Sequence, residues 1–209
     1  MNNLVIVINA PMNSGKDEIA KHFAEKFGCY HMEVKELLFE AAVRAAGISR
    51  KLWDALYERE YKEIPSPYLR INGYDVSPRE WMIHISENVM KPLFGNSVFG
   101  DAAAQKIRKL REDGTIKPGQ PIVFSDGGFK EEISSISGVA DDFFLARVHR
   151  IGADGEVYDW GTDSRRYVYL DDGVKGSEKD FDNHQDKLLS CALDIWEWAN
   201  GISGEELPF

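Results

Sequence analysis

The first apolar block of the chain, Leu4-Val-Ile-Val-Ile8, contains no polar position. A continuous, largely β-branched run of this length reads as a strand buried on both faces, as at the centre of a parallel sheet. The period then changes. Between residues 16 and 27, Ile19, Phe23 and Phe27 recur every four residues beside Ala20 and Ala24, which predicts a helix with one apolar stripe and Gly28 as its stop. Residues 34–46 repeat that pattern through Leu37, Leu38, Ala41, Ala42 and Ala45 and end at Gly47. Residues 51–62 also read as helix, with Trp53 and Tyr57 four apart, and residues 64–76, with Pro65, Pro67 and Gly73, read as loop. Ser77-Pro-Arg-Glu80 is a well-specified helix start: Ser77 suits the cap, Pro78 the first turn, and Glu80 completes a capping box. Trp81, Ile85 and Val89 form its packing stripe, and Lys91-Pro-Leu-Phe-Gly95 ends it, since Pro92 disfavours helix at Lys91.

Further helices are predicted over residues 99–111, from Phe129, and over residues 184–198. Shorter strands are predicted at residues 121–125 and 143–149. Residues 152–183 are rich in Gly, Asp and charge, with an apolar stretch at residues 167–170. No repeat or interdomain linker interrupts the chain. Strands separated by helices predict an α/β fold around a central parallel sheet.

The chain has 209 residues, 25 Lys+Arg and 35 Asp+Glu, a formal net charge of −10. An acidic chain is a poor general ligand for DNA, RNA or an anionic membrane, because phosphate neutralisation dominates such binding. A small phosphorylated substrate in a local basic pocket remains compatible with it. Two cysteines, Cys29 and Cys191, make neither a disulfide framework nor a four-Cys zinc site, and read as free thiols of a reducing cytosol. The apolar run at residues 4–10 is too short for a membrane span and lacks the basic flank of a signal peptide, so a cytoplasmic protein is expected. The five histidines lack zinc-protease spacing and no G-x-S-x-G motif occurs, so zinc hydrolysis and nucleophilic-serine chemistry find no support.

The turn after the first strand reads Ala10-Pro-Met-Asn-Ser-Gly15-Lys16-Asp17. The phosphate-loop template is G-x-x-x-x-G-K-[ST] between strand and helix. Gly15 and Lys16 match it in context; Ala10 stands for the first glycine and Asp17 for the hydroxyl residue. Amides from Asn13 through Ser14 and Gly15 to Asp17 can still point into one concavity, the helix N-terminus adds positive potential, and Lys16 supplies a charge for terminal phosphates. Asp17 can bind Mg²⁺ directly or through water, or cap the helix. The alternative is an ordinary strand–helix turn with Lys16 in solvent.

This loop, with its S-G-K-D ending, resembles that of the bacteriophage-type deoxynucleoside monophosphate kinases, relatives of adenylate and thymidylate kinase. Ser77-Pro-Arg-Glu80, Ser86-Glu87 with Lys91-Pro-Leu-Phe-Gly95, Ser125-Asp126 and Asp163-Ser-Arg165 are similar to that family in the same order, across roughly residues 4–170. The resemblance implies a single P-loop kinase domain over residues 1–209: a three-layer sandwich with an acceptor-binding helical region near residues 48–97 and a lid near residues 152–170. It implies phosphorylation of a (deoxy)nucleoside monophosphate by ATP with Mg²⁺, in the cytoplasm, or the host's cytoplasm for a viral protein. The partner would be a small nucleotide, with neither nucleic acid nor membrane involved and homodimerisation left open. Two departures stand out. The family's arginine after the strand-ending aspartate is absent, since Gly127, Gly128 and Phe129 follow Asp126, and Glu18 follows Asp17.

Candidate roles follow. Arg79 lies in a first helical turn, where a guanidinium beside free amides can hold a phosphate; pairing with a carboxylate is the alternative. Glu80, His84, Glu87 and Lys91 share another helix face, which lines a nucleoside pocket or is solvated. Phe94 and Tyr68 are candidates for stacking on the base, with core packing the alternative. Asp126 ends a buried strand, where open α/β sheets place ligands, and is the first candidate for Mg²⁺, with Asp17 the second; an N-cap or Asx-turn is the other reading of Asp126. Arg147, Arg150, Arg165 and Arg166 cluster in an otherwise acidic chain. Arginines on a closing flap would neutralise the migrating phosphoryl group and exclude water, with Arg165 the best candidate and Arg150 and Arg166 on the donor. The alternative is a β-hairpin with paired arginines. Two rival functions stay open: a P-loop kinase of another small phosphorylated acceptor, and a nucleotide-binding regulatory protein without turnover.

Overall fold

The computed structural model describes residues 3–161 and 166–201. β1 (Leu4–Asn9) is buried at every position, as an unbroken aliphatic run requires. It lies between β5 (Ile122–Phe124) and β6 (Asp142–Ile151), parallel to both, with Val5 opposite Ile122 on one side and Phe143 on the other. β2 (Tyr30–Met32) and β7 (Ser177–His184) extend the sheet to the order β2-β5-β1-β6-β7, parallel throughout.

Alternation along β1 divides the core in two. Ile6 and Ile8 face α1 (Lys16–Phe27) and α8 (Leu188–Asn200), where Ile19, Phe23 and Ile195 meet them. Val5 and Val7 face α6 (Val98–Glu112) and α7 (Lys130–Ser137) through Phe99, Ile107 and Ile133. The fold is a three-layer α/β sandwich, a five-stranded parallel sheet with helices on both faces. No helix among the described residues is long and apolar enough to cross a membrane.

A third cluster, Phe39, Ala42, Trp53, Leu69 and Ile85, forms a helical lobe beside the sheet. It joins α2 (Val34–Ala46), α3 (Arg50–Leu56), a hairpin of β3 (Ser66–Ile71) with β4 (Tyr74–Val76), and α4 (Pro78–Ile83). Three expectations are corrected here. The helix expected over residues 51–62 stops at Leu56. The loop expected over residues 64–76 is the β3–β4 hairpin, turned by Asn72 and Gly73, both at positive φ. The helix beginning at Pro78 ends in the expected segment, at Phe94 with Gly95 as its cap, but Pro92 does not break it at Lys91: it runs through a π-helical stretch (His84–Met90) into α5 (Lys91–Phe94). Pro92 has no N–H and its ring crowds the carbonyl four residues back, and the wider π turn carries the chain past that point. β7 was not anticipated either. Its sequence, SEKDFDNH, is polar because it is an edge strand that buries only Phe181 and Asn183.

Candidate active site at the C-terminal ends of the strands

The loop between β1 and α1 has the backbone its sequence calls for. Asn13 and Gly15 take positive φ, 64° and 90°. A side chain at position 15 would also meet Leu188 and Asn183, its Cβ within 2.8 and 2.9 Å of them, so the glycine is required twice over. The Ser14 hydroxyl donates to Pro11 O at 2.8 Å, and Asn183 Nδ2 donates to Ser14 O at 2.8 Å, tying the loop to β7. Lys16 is not the solvated cation of the alternative reading. It is 7% exposed, with Nζ donating to Pro11 O at 3.2 Å. Asp17 is exposed in the first turn of α1, whose cap is Gly15, so Asp17 does not cap the helix.

Around Lys35 gather three carboxylates, Glu33, Asp17 and Asp126. Asp126 Oδ1 and Oδ2 accept the amides of Val34 and Lys35 at 2.6 and 2.7 Å, so Asp126 caps α2 across the sheet rather than its own turn. Burial pushes its pKa up to about 7, against the pull of those two amides. Buried Glu132, on α7, is pushed up to about 8, first by burial and then by the charge of Asp126; Lys91 and the amides of Gly128 and Phe129 oppose this. Lys35 donates to Glu33 at 2.7 Å. Burial works against its charge, but Glu33, Asp126 and Asp17 outweigh burial and raise its pKa. No group of three or more His, Cys, Asp or Glu side chains forms a metal-binding set among the described residues.

The position directly after Asp126 has no room for a side chain: a Cβ at Gly127 would stand 2.2 Å from Val7 Cγ1. Gly127 O accepts instead from Asn9 Nδ2 at 2.5 Å. Asn9 is fully buried at the end of β1, donates also to Arg166 O at 3.3 Å, and accepts from Val168 N at 2.8 Å.

On the lobe side, the Ser77 capping box is formed in both directions, with Glu80 N to Ser77 Oγ at 3.2 Å and Ser77 N to Glu80 Oε2 at 2.8 Å. The Glu80 carboxylate is therefore committed to the cap, and those Ser77 bonds hold its pKa down. Half-buried Arg79 donates to Glu63 at 2.7 Å, and its amide bonds Lys62 O. His84 lies 3.1 Å from Asn88 Nδ2. Glu87 accepts from Lys91 at 2.7 Å, and the same ammonium lies 4.1 Å from the centre of the Phe129 ring. Tyr68 and Phe94 are exposed rather than in the core.

The arginine cluster separates. Arg165 lies outside the described residues. Arg147 is a buried anchor: it forks onto Asp180 at 2.9 and 2.7 Å, reaches Glu178 at 2.6 Å, and lies 4.1 Å from the Tyr169 ring centre. Those partners raise its pKa, and Asp180 is held down at about 2. Arg150 donates to His184 O at 3.2 Å and stands opposite Asn183, which holds the phosphate loop. Residues 166–170 form a strap tied to the core by Asn9, Arg147 and the Tyr167 hydroxyl on Val148 O, so this stretch of the expected flap is anchored.

The sequence reading missed Asn9, Asn183, Glu132 and Arg59. Arg59, just beyond α3, reaches Asn13 Oδ1 in the β1–α1 loop at 3.4 Å and links the lobe to it.

No family model matches the chain, and no curated protein matches it in sequence. Among solved structures it is similar to an unliganded sugar kinase from Janibacter sp. HTCC2649, at 12% identity and a TM-score of 0.49, over 97% of this chain and 99% of that one. A likeness of that degree carries no argument about activity.

Proposed function

We propose that the chain is a kinase that transfers the γ-phosphoryl group of ATP to the phosphate of a (deoxy)nucleoside monophosphate. The observation that carries this reading is the phosphate loop: left-handed Asn13 and Gly15, Ser14 bonded from both sides, and a buried Lys16 where parallel strands end. Successive amides leading into a helix make an anion cradle. The Lys16 ammonium, now on a loop carbonyl, exchanges that partner for a phosphate oxygen.

The acceptor phosphate is already an oxyanion, so no strong general base is needed. Alignment and charge neutralisation are the work of the site. Arg79 and Arg59 lie on the lobe side and serve the acceptor; Arg150 lies beside the loop and serves the donor. Residues 48–97 form the acceptor region in this reading. Mg²⁺, when bound, supplies neutralisation of the donor phosphates. Asp126 and Asp17 fit an ion that takes few protein carboxylates and keeps water and phosphate ligands, and each Asp126 oxygen has a lone pair beyond its amide bond.

ADP release from ATP and Mg²⁺, followed across a panel of nucleoside monophosphates and small phosphosugars, tests the proposal. A monophosphate is expected to stimulate release well above the rate with ATP alone. Stimulation only by phosphosugars, or by nothing, contradicts it.

A further inference from the structure

Beyond the phosphate loop, a cleft of about 320 Å³ opens between the start of α7 and the strap. Phe129 and Lys130 line one wall, and Arg166, Tyr167 and Tyr169 the other. We propose that this cleft is the nucleobase subsite of the acceptor, an inference that rests on the kinase reading above.

Three observations support it. The first is position: one Asn9 amide nitrogen, directly before the phosphate loop, bonds carbonyls on both sides of the cleft, Gly127 and Arg166. The second is the side it occupies. Lys91 of the lobe lies over Phe129, which places the cleft against the acceptor region, whereas α1 and α8 pack on the opposite face of the sheet. The third is the rings themselves. Lys91 takes one face of Phe129 and Arg147 one face of Tyr169, each 4.1 Å from the ring centre, and Trp160 meets Tyr167 edge-on at 5.3 Å. Rings held from behind lose little freedom when a planar group stacks on them. The cleft is at the small end of ligand sites, suited to a base with its sugar rather than a whole nucleotide.

Equilibrium binding without ATP, measured by isothermal titration calorimetry, tests the assignment with dAMP, dCMP, dGMP, dTMP and ribose 5-phosphate, the last having phosphate and sugar but no base. Tyr169→Ala removes an exposed ring, and Phe129→Leu keeps an apolar side chain while removing an aromatic face. Both are expected to weaken the preferred monophosphate about ten-fold or more and to leave ribose 5-phosphate unchanged. Equal losses for monophosphate and ribose 5-phosphate, no loss, or no saturable monophosphate binding to the wild type would overturn the subsite. Turnover separates the two proposals. Monophosphate binding that follows the expected pattern without phosphorylation sinks the kinase reading and leaves the cleft standing. Phosphorylation with an unchanged acceptor KM in Tyr169→Ala does the reverse.

Discussion

Glu132 occupies the third position of α7, where its carboxylate reaches back to the amide of Phe129, and it is buried near Asp126. Both acids have folded-state pKa values above their unfolded ones, about 8 and about 7. The folded chain therefore holds more protons than the unfolded chain at intermediate pH, and this contribution to stability, complete below the unfolded pKa values near 4, is lost as pH rises toward 8. Ligand-free protein should melt at a lower temperature at pH 8.5 than at pH 5.5. Glu132→Gln should flatten that slope and melt above wild type at pH 8.5; parallel melting curves across pH would refute the assignment. At Gly127 the constraint is steric. Gly127→Ala should cost about 1–3 kcal/mol in a denaturant titration, since its methyl group overlaps Val7. Asp126 was legible in the sequence because it ends an apolar strand. Glu132 was not, because Lys130-Glu-Glu132 reads as the solvated start of a helix until the sheet closes over it. Asn9 and Asn183 are single amides at strand ends, and their roles arise only from pairing between segments more than a hundred residues apart.

Elements with an internal signal were readable, and those defined by neighbours were not. β1, α1 and α2 follow from unbroken or four-residue apolar periodicity, and the start of α4 follows from its cap. Ser77→Ala should lower stability by about 1 kcal/mol, measured by denaturant unfolding, through loss of that cap. The β3–β4 hairpin was passed over because Pro65 and Pro67 suggested loop, although Asn72-Gly73 is a strong two-residue hairpin signal. β7 carries little apolar pattern of its own, and its place depends on its parallel ladder with β6, to which Arg147 adds its grip on Glu178 and Asp180. That arginine also holds the strap through Val168 O. Arg147→Met should loosen both, so the amides of Val168 and Leu170 should exchange with solvent markedly faster than in wild type. Unchanged exchange would mean that Asn9, the Tyr167 hydroxyl and Glu178 fix the strap without that arginine.

At the scale of the molecule, the sheet order brings the β1–α1 loop, Asp126 and the strap to the carboxyl ends of parallel strands, where such folds bind ligands, and Arg59 ties the lobe to that loop. The α/β class and the strand–turn–helix unit around Gly15 and Lys16 were visible in the sequence; that Arg59 reaches this turn and Arg150 the neighbouring end of β7 was not, since both contacts arise from tertiary packing. The central claim concerns Lys16. Lys16→Met keeps the buried stem and removes the ammonium, so the fold should persist. The most direct measurement is the rate of ADP release with ATP, Mg²⁺ and the preferred nucleoside monophosphate, wild type against Lys16→Met. A loss of about a hundred-fold or more in kcat, with an unchanged melting profile, is the predicted result; equal rates in the two proteins would contradict the account.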